Sequence, residues 1–197
     1  MPAHLVRPAP PAELQQLLNE VIGPCARSWV YSYFLAADAD GNRATGRPIT
    51  LMCSDAAISG MQRWLWSKAG NKIASTMHDG MVKNDEHISK CVVDIDRGLT
   101  RIGELLADES AIGPEMIADG VPNRNHLAIA SICYPLVFPP QSMVPFFGRE
   151  VVGMADLPPA MAAQVERYRA TPAGQMTLRL YATCRLAVVK PKSADST

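Results

Sequence analysis

His87, Cys91 and Asp94 stand at i, i+4 and i+7 in the run DEHISKCVVDID, so a helix would place an imidazole, a thiol and a carboxylate on one face. Zinc accepts such ligands, but a structural zinc site wants four, commonly including a close second pair. The further histidine His78 lies beyond an interruption expected at Asp79-Gly80, so this face reads as an ordinary half-buried helix face and no metal is expected. His126 follows Asn123-Arg124-Asn125; catalysis would need a nucleophile or acid placed with it, and none is legible. The chain has no GxGxxG, P-loop, HExxH or GxSxG pattern. No catalytic residue and no cofactor site is therefore read from it. The aromatics Trp29, Tyr31, Tyr33 and Phe34 are the remaining candidates. Trp29 and Tyr33 share a helical face at i and i+4, while Tyr31 points elsewhere. Such a helix can pack a core with one face and line an apolar cleft with the other. Trp29, Tyr31 and Tyr33 are accordingly the candidate residues for a hydrophobic ligand or an interface, core packing being the plainer alternative.

The elements that would position these residues are helical throughout. Pro11, Ala12 and Glu13 open a helix whose Leu14, Leu17, Leu18, Val21 and Ile22 fall at helical spacing. Gly23-Pro24 predicts a break or kink, after which the pattern resumes through Trp29, Val30, Tyr33 and Phe34. Residues 38–48 read as a loop, and a second helical region is expected over about 55–81, with Ile58, Met61, Trp64, Leu65 and Ile73. The clearest helix spans about Asp85 to Leu106, where Ile88, Val92, Ile95, Leu99, Ile102 and Leu106 recur every three or four residues. Loops follow at 108–122 and 139–158; helices are expected from Pro158-Pro159 to Ala170 and, with Thr171 as cap, from Pro172 to Cys184. Between the loops, VPNRNHLAIASICYPLVFPP predicts a core helix apolar all round, capped by Asn123 and kinked, then stopped, by its prolines. From Leu127 to Pro140 it is shorter than the roughly twenty apolar residues that cross a bilayer. No segment alternates with period two. The fold expected is all-α, a bundle of five to seven helices.

Composition bounds the function classes. The 197 residues carry 19 Lys+Arg against 19 Asp+Glu, so no basic excess points to nucleic acid and no polybasic tail to an anionic membrane. Five widely spaced cysteines without a CxxC pair read as reduced thiols of a cytoplasmic protein, and the first residues contain no apolar signal core. Residues 1–10 are expected to be a loose lead-in, 11–185 a single helical domain, and 186–197 a frayed tail.

LQQLLNEVIGPCARSWVYSYFL resembles the first helix of the C-terminal helical domain of glutathione S-transferase-like proteins, with its Gly-Pro and aromatic second half. SKCVVDIDRGLTRIGELLAD is similar to the helix leading to that domain's central helix, and ATPAGQMTLRLYATCR to its closing helix. The family's central helix usually opens with Ser/Thr-x-x-Asp; here Asn123 and His126 take those places, and histidine is a poor substitute for the acid. The resemblance implies the half of the family that lines the hydrophobic-substrate cleft. Only about ten residues precede Pro11, too few for the thioredoxin-like half that holds glutathione and the activating residue. The expectation is a stand-alone domain, not catalytic by itself, that binds an apolar small molecule or a protein partner. Its bared first-helix surface would make it a homodimer or a companion subunit. The alternative is a glutathione transferase, with glutathione as cofactor only if a thioredoxin-like domain is supplied elsewhere.

Overall fold

A computed structural model describes residues 11–55, 58–113 and 122–185, and within them every regular element is a helix. The expected all-α fold is found, whereas the expected lead-in and tail lie outside the described residues. The chain opens with α1 (Ala12–Gln16), widens into a π-helical turn (Leu17–Ile22) and continues as α2 (Gly23–Phe34). The expected break at Gly23-Pro24 is thus replaced by a π turn. Proline crowds the carbonyl four residues before it, here Glu20, and the wider register moves that turn aside. Gly23 is required there, because a Cβ would stand 2.8 Å from the Leu18 carbonyl oxygen.

The helix expected over 55–81 is found from residue 60 onward, and a further, unexpected helix precedes it. α3 (Arg47–Ser54) starts inside the presumed loop, with Pro48 in its first turn. α4 (Gly60–Met81) begins at a capping box in which the Ser59 hydroxyl accepts from the Gln62 N–H and the Gln62 side chain accepts from the Ser59 N–H. α4 also runs straight through Asp79-Gly80.

α5 (Asp85–Ala107) matches its expected span closely. Asn84 caps it by accepting from the His87 N–H at 2.7 Å, and Asp85 and Glu86 complement the positive end. Ile95, Leu99 and Ile102 are fully buried, each worth about 1.5–3 kcal/mol of transfer free energy. The short α6 (Glu109–Ile112) follows. α7 (Arg124–Val137) packs against α2, α9 and α10 and so occupies the middle of the bundle. The Asn123 side chain accepts from the N–H groups of Asn125 and His126, as its expected capping role requires. The reading of α7 as enclosed on every side is corrected. Ile129, Ala130, Cys133, Leu136 and Val137 are buried, but Leu127 and Tyr134 face outward.

The 139–158 segment holds short turns and α8 (Val144–Phe147), and is pinned to α3 by two ion pairs. Arg47 reaches Asp156 at 2.7 Å, and Arg149 reaches the buried carboxylate of Asp55 at 2.6 Å. α9 (Pro159–Arg169) and α10 (Pro172–Leu180) close the bundle, the latter extending as a π turn over Tyr181–Arg185. Thr171 caps α10 through the Gly174 N–H at 3.1 Å.

Candidate functional site

The three aromatic candidates on α2 do not converge on one site. Trp29 is wholly buried, its indole N–H donates to the Gln164 side-chain oxygen, and its ring meets Tyr33 and Tyr168 edge-on at 5.7 and 5.5 Å. It is the centre of an aromatic cluster joining α2 to α9. Tyr31 is half-buried against the core. Tyr33 reaches a cleft, a cavity of about 540 Å³ walled by the 36–38 turn, the start of α3 and the 155–158 segment.

The chemistry of that cleft is polar and already paired. The Arg47 guanidinium binds Asp156, and the Asp156 carboxylate also accepts from the Gly153 N–H. That backbone bond first, and Arg47 second, hold Asp156 below the ordinary carboxylate range. Asp38 is held low by the Thr45 hydroxyl and by the Asn42 and Asp40 N–H groups. Burial pushes the Tyr33 phenol up, so it is neutral near pH 7. These groups can hold a ligand by hydrogen bonds and by the face of Tyr33. They do not form a nucleophile–base pair.

The helix face of His87, Cys91 and Asp94 is assembled in part. His87 Nε2 lies 3.6 Å from Cys91 Sγ and 3.4 Å from Ser28 Oγ, whereas Asp94 turns to Arg97 at 3.3 Å. Among the described residues no group of three His, Cys, Asp or Glu side chains is disposed to hold a metal ion. Burial first, and Cys91 as a neighbour second, push the Cys25 thiol on α2 up to about 12. Sequence spacing within α5 could not reveal that neighbour, because Cys25 is on another helix. His126 is buried at the start of α7, a helix-start residue as expected.

Among the described residues, exposed large apolar side chains gather on α4. Met61 is 80% exposed, Trp64 62% and Leu65 50%, and Ile73 and Met77 follow along the same helix. Met61, Leu65, Ala69, Ile73 and Met77 form an unbroken i, i+4 row, the ridge by which helices most often pack against one another. On the first helix Leu14, Leu18, Ile22 and Trp29 are buried, while Leu17 and Val21 are half-buried along a groove of about 400 Å³. No helix among the described residues is long and apolar enough to cross a membrane.

The chain matches no family model, no curated protein and no solved structure.

Proposed function

We propose that this chain is a helical binding domain that works as a homodimer, joined through the α4 ridge. The exposure of that ridge carries the reading. Five large apolar side chains on one helix form a patch of the kind that marks a partner surface, and an i, i+4 row is self-complementary under a two-fold axis. Two such ridges interdigitate at a crossing angle near −50°. The resemblance of the helices to the C-terminal half of glutathione S-transferase-like proteins supports the same reading: a domain that offers apolar surface and takes its catalytic group from elsewhere. In this reading the cleft beside Tyr33 would take a small molecule by the face of that ring and by hydrogen bonds. Glutathione conjugation would require a companion subunit bearing a thioredoxin-like domain.

Light scattering on the eluting chain tests the proposal. A dimeric mass is expected, falling to a monomeric one in the double variant Leu65→Glu, Ile73→Glu with helical circular dichroism unchanged. A wild-type monomer at the highest soluble concentration would overturn it.

A further inference from the structure

A second cavity, of about 290 Å³, shares no lining residue with the cleft beside Tyr33. It is lined by Leu106 near the end of α5, by His126 in the first turn of α7, and by Pro172, Gln175, Met176 and Arg179 of α10. Its walls are fixed from two sides. The Asn123 side chain accepts from the His126 N–H at 3.1 Å, and the Asn123 and Asn125 amides donate to the Ile112 carbonyl at 3.3 and 3.0 Å, which ties the end of α6 to the start of α7. On the other side a Cβ at Gly103 would stand 3.3 Å from the Pro172 ring, so α5 and α10 are in close contact beside the cavity. The lining is chemically divided. Leu106, Pro172 and Met176 are apolar, whereas His126, 2% exposed, sets an imidazole into the wall. Arg179 and Gln175 are exposed, and the Gln175 amide is held by donating to the Arg169 carbonyl at 2.7 Å. A cavity walled only by apolar groups stays dry, but polar groups on the wall call for water or a ligand. No carboxylate is among the described residues that line it, and the first turn of α7 carries no acid. An acid at the third helical position would serve that helix better than His126 does. Histidine there keeps negative charge off the wall.

We infer that this cavity is a binding site for a small monocarboxylate, its charged end toward Arg179 and His126 and its hydrocarbon against Leu106 and Met176. The volume sets the size of the ligand: 290 Å³ holds roughly ten non-hydrogen atoms at the about 30 Å³ that each molecule takes in liquid water. Benzoate is of that size. A guanidinium presents paired N–H donors that match the two oxygens of a carboxylate. One guanidinium balances one negative charge, so a monoanion suits this lining better than a phosphate dianion. The positive end of α7, which carries His126 in its first turn, adds to the attraction for an anion. The apolar half of the lining then favours an acid with a hydrocarbon body over an inorganic ion. The site does not depend on the α4 ridge, so it stands or falls apart from the dimer.

The test titrates the full chain, isotope-labelled at its methionine methyls, with sodium benzoate at constant ionic strength and follows the resonances by NMR. The Met176 signal is assigned by its loss in Met176→Leu. Benzoate is expected to move the Met176 methyl saturably, and benzyl alcohol, its neutral counterpart, to bind about tenfold more weakly. Arg179→Gln, at an exposed position, is expected to lower benzoate affinity about tenfold and to leave benzyl alcohol unchanged. The preference for the acid over the alcohol therefore collapses, a ratio that a merely structural role for Arg179 would not move. A Met176 methyl that benzoate does not shift, equal affinity for acid and alcohol, or an undiminished preference in Arg179→Gln would overturn the assignment.

Discussion

Phe138 is the one non-glycine residue with positive φ among the described residues, at φ 46° and ψ 64° at the end of α7. A bulky side chain in that region carries roughly 1–2 kcal/mol of strain, so neighbouring contacts must hold it. Arg169 does so from α9. Its Nε donates to the Val137 carbonyl and its Nη2 to the Phe138 carbonyl, both at 2.7 Å, while the Phe138 ring leans on Phe34 at 5.8 Å. Two charged donors on carbonyls the helix itself leaves unpaired are worth more than a surface ion pair. Arg169→Ala is expected to destabilise the fold by about 2 kcal/mol, read as a lower urea midpoint at unchanged slope. Arg169→Lys should recover less than half of that, since a point charge cannot span both oxygens. An unchanged midpoint in Arg169→Ala would remove Arg169 from this role. Asn123 could be read as a cap from its own neighbours, because the N–H groups it accepts from are two and three residues away. Arg169 could not, because its partners are 31 and 32 residues distant and only the packing of α9 on α7 brings them together.

At the scale of elements, two helical glycines have opposite roles. Gly80 lies within α4 with nothing near where a Cβ would be, so alanine there would only improve helix propensity. Gly174, in the first turn of α10, would place a Cβ 2.1 Å from the Tyr168 carbonyl oxygen and 3.0 Å from the Arg169 Cα. The obstacle is backbone, which cannot rotate away, and it sets how tightly α10 folds back on α9. Gly80→Ala is expected to raise stability by about 0.5–1 kcal/mol, and Gly174→Ala to lower it by about 3 kcal/mol, the overpacking outweighing any gain in propensity. Thermal or urea unfolding of both variants checks the pair, and equal shifts would contradict the corner geometry. The same comparison explains why Asp79-Gly80 misleads as an expected interruption. One helical glycine costs about 1 kcal/mol, which a helix with a complete capping box at Ser59 can carry. Periodicity read α5 closely because its apolar face is wide and its cap is local. It missed α3, whose eight residues make only about two turns and start inside a segment whose composition reads as a loop.

For the whole molecule, hydrophobic spacing locates faces but does not say what covers them. Met61, Trp64, Leu65 and Ile73 have the same periodic signature as Ile95, Leu99 and Ile102, yet the first set is exposed and the second sealed. Which set becomes core depends on where the other helices lie, and that follows from the packing of α2, α5, α7 and α10 around one another. The same packing fixes how the fold responds to pH. On the acid side, Glu13 is held low by Arg101 at 2.5 Å and Asp156 by Gly153 and Arg47. Their contribution is present above the ordinary carboxylate value and is lost as pH falls through the lowered one. Exposed pairs of this kind are screened, so that limb is shallow. On the alkaline side, burial pushes the fully sealed Cys133 thiol from 9.0 up to about 12 and the Tyr168 phenol from 10.0 up to about 12. The unfolded chain ionises first, so it binds fewer protons than the native one above pH 9, and stability falls as pH rises. For a sealed group the loss approaches about 1.4 kcal/mol per pH unit between the two values. Melting temperature is therefore expected to be nearly level from pH 6 to 8 and to fall steeply from pH 9 toward 12. Cys133→Val, which keeps the site apolar and filled, should make that alkaline limb shallower while changing the neutral melting temperature little. An equally steep limb in the variant would mean that the buried thiol at the centre of α7 is not what limits the fold in base.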